Sequence, residues 1–235
     1  MSVRLPVRAE LAGRLLRRYK RFLADVRLQD GSEITVHCPN PGSMLGCAEP
    51  GSEVRCSTSD DPRRTLRHTL EMIRVGRTWV GLHTSLANAF VARAIEAGAI
   101  PELAGYPELR REVTVGEGSR LDFRLSGGRR LPAFVEVKSV TLAQDGVARF
   151  PDSVSERARR HSRTLARLRA EGHRAVQLYV VQRGDCRRVE PADDIDPGYG
   201  VALREAARAG VEVLAVRARV SPRGLELDGA LPVVL

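Results

Sequence analysis

The sequence predicts an α/β (α+β) chain in two parts, a small β-barrel over residues 1–82 followed by an α/β domain with a mixed sheet over residues 83–235. Three observations carry this. Residues 1–82 are short β-like runs cut by turn residues, the spacing of a small barrel. From residue 83 longer helical and extended segments alternate, the pattern of helices laid on a sheet. A composition of 43% hydrophobic and 29% charged residues suits packed cores and excludes a disordered, collagen-like or disulfide-dense chain.

In the first part, strands are expected at Arg21 to Leu28, Glu33 to His37, Glu53 to Ser57, Thr69 to Val75 and Thr78 to Leu82. Asp30-Gly31 turns the first pair, and Cys38 to Gly46 holds too much Pro and Gly for a regular element, so it reads as a shaped loop. In the second part, Thr84 or Ser85 caps a helix through Ala97 that stops at Gly98. Strands follow at Arg111 to Val115, Arg120 to Leu125 and Ala133 to Val140, the last two joined around Ser126-Gly127-Gly128. Ser153 and Glu156 form a capping box for a helix ending at Gly172. Ala175 to Val181 is apolar enough for a strand covered on both faces. A helix from Tyr199 to Ala209 ends at Gly210 and leads into a strand from Val211 to Val216.

The net charge of +9 favours a polyanionic partner, and nucleic acid, anionic membrane and acidic substrates all meet that description. No stretch reaches the roughly 18 apolar residues of a membrane span, and the Arg-studded segment Met1 to Arg21 lacks the apolar centre of a signal peptide. A cytoplasmic protein with no membrane partner is expected, its cysteines Cys38, Cys47, Cys56 and Cys186 reduced. His37 with Cys38, Cys47 and Cys56 lacks the short Cys-x-x-Cys pairs that pre-assemble a zinc site, so these read as small buried cysteines.

Strand alternation puts Leu121, Phe123 and Leu125 on one face and Asp122 on the other. The same rule separates Val135 and Val137 from Glu136 and Lys138. Two acids and a lysine then converge across a hairpin, and a charged trio amid apolar residues is costly unless it binds something. Of 38 basic residues only Lys20 and Lys138 are lysines, so chance puts one at this position about one time in twenty. An ammonium transfers a proton where a guanidinium does not. The competing reading is an ion pair of Glu136 and Lys138 on a solvated face, worth little.

Helix, three strands bearing Asp and Glu-x-Lys, helix and strand in succession resemble the PD-(D/E)XK nuclease core. That resemblance assigns Asp122 and Glu136 to Mg²⁺ (or Mn²⁺), with the Val137 carbonyl as a further ligand and Glu96 as a weaker fourth candidate. It makes Lys138 the group that orients or deprotonates the attacking water and offsets charge on the phosphate. Five stretches, Tyr19 to Val26 (YKRFLADV), His37 to Met44 (HCPNPGSM), Ser119 to Phe123 (SRLDF), Glu136 to Leu142 (EVKSVTL) and Phe150 to Asp152 (FPD), further resemble the sugar fermentation stimulation protein A family. The resemblance spans nearly the whole chain. It implies an OB-fold-like N-terminal barrel, a nuclease-like C-terminal domain and DNA binding linked to sugar metabolism. One departure is local: after Phe-Pro-Asp the family commonly reads Ala-Val-Thr-x-Arg-Gly, where this chain has Ser153 to Ala158 (SVSERA).

Val154, Ala158, His161, Leu165 and Leu168 form a core-facing helical stripe, which makes His161 a half-buried structural residue rather than a phosphate contact. Arg160, Arg163 and Arg167 occupy the opposite side, together with Arg157 before them, and read either as a phosphate track or as a solvated charged face. Lys20, Arg21 and Arg120 complete the expected nucleic-acid-binding set. The loop Asn40 to Gly46 either closes the barrel or presents N–H groups to phosphate, with closure favoured. Aromatics are 4% of the chain, and Tyr19, Phe22 and Trp79 are the only ones in the barrel half, so backbone contact is the expected mode of nucleic-acid binding. The leading function is a DNA-binding protein with a Mg-dependent phosphodiesterase site. The alternatives are a non-catalytic DNA-binding regulator of sugar metabolism using the same basic surface, and an OB module binding RNA or another polyanion. The oligomeric state stays open, a homo-oligomer included.

Overall fold

The computed structural model describes residues 3–116 and 118–235. Met1, Ser2 and Glu117 lie outside them, including the start of the expected segment 1–82. The chain opens with β1 (Arg4–Pro6), then β2 (Leu11–Tyr19), β3 (Leu23–Leu28), β4 (Glu33–His37), β5 (Glu53–Thr58), β6 (His68–Val75) and β7 (Thr78–Gly81). Strands β2 to β7 form one sheet in the order β4-β3-β2-β5-β6-β7, and a parallel pairing of β4 with β6 at His37 and Thr69 closes it into an OB-like barrel. Its interior is the inward half of each strand: Leu15, Val26, Val36, Val54, Leu70 and Ile73. Cys38, Cys47 and Cys56 are buried there, and Cys186 in the second domain, all four as free thiols. Burial pushes the thiols of Cys56 and Cys186 up to about 12 and that of Cys47 up to about 11.

β3 begins two residues later than expected, because Lys20 and Arg21 take φ of 46° and 63° and break the chain away from β2. Neither β1 nor β2 stands out in the sequence. β2 carries Arg14, Arg17 and Arg18 with a single buried side chain, so no apolar alternation marks it. β1 does not join the barrel but pairs with β16 (Gly224–Ala230) at the edge of the second sheet.

The remaining elements are α1 (Ser85–Glu96), β8 (Glu108–Val115), β9 (Ser119–Ser126), β10 (Ala133–Val140), β11 (Ala143–Gln144), β12 (Val147–Phe150), α2 (Glu156–Ala170), β13 (Arg174–Val181), β14 (Arg188–Pro191), α3 (Pro197–Arg208), β15 (Glu212–Ser221) and β16. The main sheet runs β1-β16-β15-β13-β10-β9-β8. β10, β13 and β15 are parallel, linked by crossovers through α2 and α3, and the outer pairs are antiparallel, which makes the sheet mixed as expected. α1 covers one face over Phe123, Val135, Val137, Leu178 and Val180. α2 and α3 cover the other, over Phe134, Ala175, Tyr179 and Ala215. The β13 strand is mostly apolar because both its faces are covered, Gln177 being the buried polar residue within it. Among the described residues no helix is long and apolar enough to cross a membrane.

The expected capping box at Ser153 and Glu156 does not form. Ser155 is the N-cap, its hydroxyl accepting from the Ala158 N–H, and its own N–H donates to Asp196. Asp196, fully buried, also caps α3 through the Tyr199 N–H and takes the Arg159 guanidinium, so one carboxylate ties the starts of both helices. Val154 consequently lies ahead of α2, exposed, while the rest of its expected stripe is buried.

The barrel and the second domain are joined firmly. Met72 and Trp79 pack into the core beneath α1, and the Gly81 N–H donates to the Gln182 carbonyl at 3.0 Å. The Asn40 to Gly46 loop closes the barrel with Met44 and also straps it to the second domain. Arg18 gathers the carbonyls of Asn40, Gly42 and Ser43, the Met44 N–H donates to Asp152 Oδ2 at 2.9 Å, and Thr84 Oγ1 donates to the Pro39 carbonyl. The N–H groups of Gly42, Met44 and Leu45 are spent on bonds within the protein, to Asn40, Asp152 and Ser43. At Gly42 a Cβ would meet the Asp152 carboxylate at 2.5 Å. Gly42→Ala is expected to displace that carboxylate from Met44 and lower stability by roughly 1.5–3 kcal/mol, the worth of a hydrogen bond to a charged group, read as a reduced urea midpoint at unchanged slope.

Candidate functional site

β9 and β10 are hydrogen-bonded only as far as Val135 opposite Phe123. Beyond that pair the strands fork, and the Asp122 side chain fills the gap. Its Oδ2 accepts from the Val137 N–H at 2.7 Å and its Oδ1 from Asn88 Nδ2 on α1 at 2.7 Å. The fork also alters the simple alternation expected here. Phe123 and Leu125 pack under α1, whereas Leu121 packs on the other side with Phe134 and Leu165.

Glu136 lies on β10, 3% exposed, and its backbone carbonyl accepts from the buried Gln177 amide at 3.0 Å. One carboxylate oxygen, Oε1, is saturated: Lys138 Nζ sits 2.6 Å away and His161 Nδ1 of α2 is in short contact with it. The other oxygen, Oε2, is buried and among the described residues has no hydrogen-bond partner. The pair with Lys138 is thus an ion pair within one strand and well buried, with the Lys138 side chain 11% exposed, not one on a solvated face. His161 is more than half-buried: it is 2% exposed and holds Glu136 directly, a role that its place on an apolar stripe concealed.

Asp122, Glu136 and Lys138 open into one cleft of about 560 Å³. The barrel contributes Arg21 and Asn40 to its walls, α1 contributes Ser85 and Asn88, the segment before α2 contributes Ser153 and Val154, and the first turn of α2 contributes Arg157. The two acids are electrostatically coupled. Burial and the charge of Glu136 push the Asp122 carboxyl up to about 6, against the two hydrogen bonds that it accepts. For Glu136 burial acts upward as well, but His161 and Lys138 outweigh it and hold the carboxyl below its ordinary range.

These features fit a hard divalent cation. Glu136 Oε2 is a buried carboxylate oxygen with nothing to bind, and Asp122 bears a charge that its surroundings disfavour. Among the described residues no group of three or more His, Cys, Asp and Glu side chains is arranged to hold a metal. The protein ligands would therefore be two carboxylates and a backbone carbonyl such as that of Val137, the sparse oxygen set that Mg²⁺ completes with water. Glu96 does not join them, being exposed in the last turn of α1. Asn88, eight positions earlier on that helix, is the α1 residue that reaches Asp122, and nothing in its local sequence marks it.

The basic residues fall into two groups. Arg21 and Arg157 line the cleft, and among the described residues neither side chain has a carboxylate partner. Lys20 is exposed beside Arg21. Arg160, Arg163 and Arg167 are exposed along α2, with Arg167 3.5 Å from Glu171. Arg120 pairs with Glu112 at 3.0 Å and is not part of the cleft wall.

The raised carboxyl of Asp122 makes stability depend on pH. Between its unfolded range near 4 and about 6 the native state holds a proton that the unfolded chain has lost, so this group's contribution is fully present below pH 4 and lost as pH rises through 6. Metal-free Asp122→Asn should therefore gain on the wild type as pH rises from 4 to 7, by on the order of 1–3 kcal/mol. Paired denaturant titrations at each pH measure it, and the difference cancels the opposite trend of Glu136.

Residues 16–82 match the model described as "SfsA N-terminal OB domain", and residues 85–224 match "Sugar fermentation stimulation protein RE domain". The chain is 55% identical to the sugar fermentation stimulation protein homolog of Thioalkalivibrio sulfidiphilus, over 94% of each chain. It is 52% identical to the homolog of Geobacter sp. strain M21, over 95% of this chain and 96% of the relative. Among solved structures it is similar to Pyrococcus furiosus SfsA in complex with Ca²⁺, at a TM-score of 0.91 and 28% identity over the whole of both chains. The barrel, the mixed-sheet domain and these matches along nearly the full chain place the protein in the sugar fermentation stimulation protein family.

Proposed function

We propose that this protein is a divalent-metal-dependent phosphodiesterase that binds nucleic acid, DNA foremost, and hydrolyses it in the cleft between barrel and mixed sheet. The observation that carries the reading is the pairing of an unsatisfied buried oxygen on Glu136 with a charge-stressed Asp122 beside it. The Pyrococcus furiosus relative is a Ca²⁺ complex, and Ca²⁺ is a hard, oxygen-seeking cation of the same kind as Mg²⁺ and Mn²⁺.

Asp122 and Glu136 would hold the cation, with the Val137 carbonyl as a third donor. When bound, Mg²⁺ or Mn²⁺ supplies Lewis-acid polarisation of a phosphoryl oxygen and a lowered pKa for water. The chain's own residues do the rest. Asn88 and the Val137 N–H fix the Asp122 carboxylate at the fork. His161 and Lys138 hold Glu136 so that Oε2 stays free. Lys138 supplies a positive charge at the cleft floor that offsets charge growing on the phosphate, while Arg21 and Arg157 draw the polyanion in. The outer arginines of α2 extend that attraction along the surface.

Incubation of plasmid, single-stranded DNA and RNA with Mg²⁺ or Mn²⁺ tests the reading. Wild type should cut at least one substrate, and Glu136→Gln should lose both the cutting and the stabilisation that Mn²⁺ confers, about 2.7 kcal/mol at a hundredfold excess over Kd. Lys138→Arg should bind Mn²⁺ as wild type does yet cut roughly 10²–10⁴-fold more slowly. Absence of cutting on every substrate, or equal cutting by Glu136→Gln, would leave a non-catalytic DNA-binding protein with an idle acid cluster.

A further inference from the structure

We infer that the cleft takes single-stranded polynucleotide, one base stacking on Phe22 as the adjoining phosphate enters past Arg21; this names the substrate of the phosphodiesterase site proposed above and rests on that reading. Three independent features of the barrel side and the cleft point there.

The first is the turn between β2 and β3. Two successive residues with side chains, Lys20 and Arg21, hold φ of 46° and 63°, a conformation disfavoured for any residue but glycine. The turn is over-determined by its bonds. The Phe22 N–H donates to the Lys20 carbonyl at 2.7 Å, the Cys38 N–H to the Phe22 carbonyl at 2.8 Å, and Arg18 Nη2 to the Arg21 carbonyl at 2.7 Å. The same guanidinium holds the Asn40 and Gly42 carbonyls, so the turn and the strap at the cleft wall are one rigid piece. Its effect is to thrust Lys20, Arg21 and Phe22 outward together.

The second is what Phe22 presents. Its ring is 43% exposed and is backed by the His37 ring, with centroids 6.4 Å apart and planes 28° from parallel. A braced aromatic beside two cations that have no carboxylate partner among the described residues is an arrangement that stacks a base and holds its phosphate. Val154, 64% exposed, and Arg157 also line the cleft and repeat the combination of apolar and cationic contact.

The third is depth. The carboxylate of Glu136 and the amine of Lys138 lie almost wholly buried in a cleft of about 560 Å³, whose lining includes Asn40 to Gly42 of the barrel strap and the Asp152 to Val154 segment bonded to that strap. That volume suits a single nucleotide unit. A phosphate within a stiff duplex stays outside such a cleft, whereas a single strand, or an unpaired end, bends into it. The thin aromatic content of the barrel fits one stacked base with the rest of the strand held by its backbone.

The test uses the full chain in EDTA, where nothing is cut. Anisotropy is measured with a labelled single-stranded DNA, the matching duplex and a single-stranded RNA, and a 2-aminopurine single strand reports stacking. Wild type should bind a single strand of DNA or RNA more tightly than duplex and quench 2-aminopurine. Phe22→Ala should lower that affinity by roughly 5- to 150-fold, the range of one lost base stack, and abolish the quenching, with Phe22→Trp restoring both. Arg21→Ala should reduce the slope of log K against log salt by about 0.7, one phosphate of a single strand, whereas Phe22→Ala leaves the slope unchanged. Phe22 is exposed, so an unaltered circular dichroism spectrum is expected of its variants. Equal or tighter binding of duplex, or a Phe22→Ala protein that binds and quenches like wild type, overturns the inference. Glu136-dependent cutting of duplex that ignores Phe22 would do the same while leaving the phosphodiesterase intact. Phe22-dependent single-strand binding without cutting in Mn²⁺ would uphold the binding mode and remove the phosphodiesterase.

Discussion

A carboxylate buried within a sheet must have its charge answered, and Glu136 is answered on one oxygen only. Much of the second domain can be understood as the scaffold for that half-satisfied state. Parallel pairing with β13 fixes the β10 backbone, and the Gln177 amide pins the Glu136 carbonyl from the neighbouring strand. α2 crosses the same face and sets His161 against Oε1. On the other side, the early end of the β9–β10 ladder leaves the Val137 N–H without a strand partner there, and Asp122 takes it. The acids are thus brought to one cleft by a defect in pairing as much as by pairing itself.

The barrel is more than an appendage to this arrangement. Arg18 sits partly buried and gathers four backbone carbonyls, from Arg21, Asn40, Gly42 and Ser43. Those bonds shape one wall of the cleft, and the Asp152 carboxylate carries the link into the segment that leads to α2. A charge-bearing side chain so employed is a structural clamp, its two terminal nitrogens bonded to carbonyls while its buried Nε has no partner among the described residues.

The sequence exposed those parts whose cause is local. β10 runs from Ala133 to Val140 as its apolar alternation predicts, and α1 stops at the glycine that can take φ of 64°. The trio of Asp122, Glu136 and Lys138 reaches a common cleft. What stayed hidden depends on partners distant in the chain. β1 is a strand because β16 offers it an edge, and β12 and β14 form only by pairing with each other and with β11. The capping residue of α2 shifted from Ser153 to Ser155 because Asp196, forty-one positions on, claims the Ser155 N–H. Asn88, Gln177 and Arg18 are ordinary residues in their own neighbourhoods and become site-building only through tertiary contact.

Asp196 has a wider reach than the two helix starts that it caps. Because the same carboxylate anchors α2 and α3, neither helix can slide along its axis without dragging the other. The position of His161, in the second turn of α2, is thereby tied to the placement of α3. The seating of Glu136 thus depends in part on a buried acid outside the cleft that never touches it.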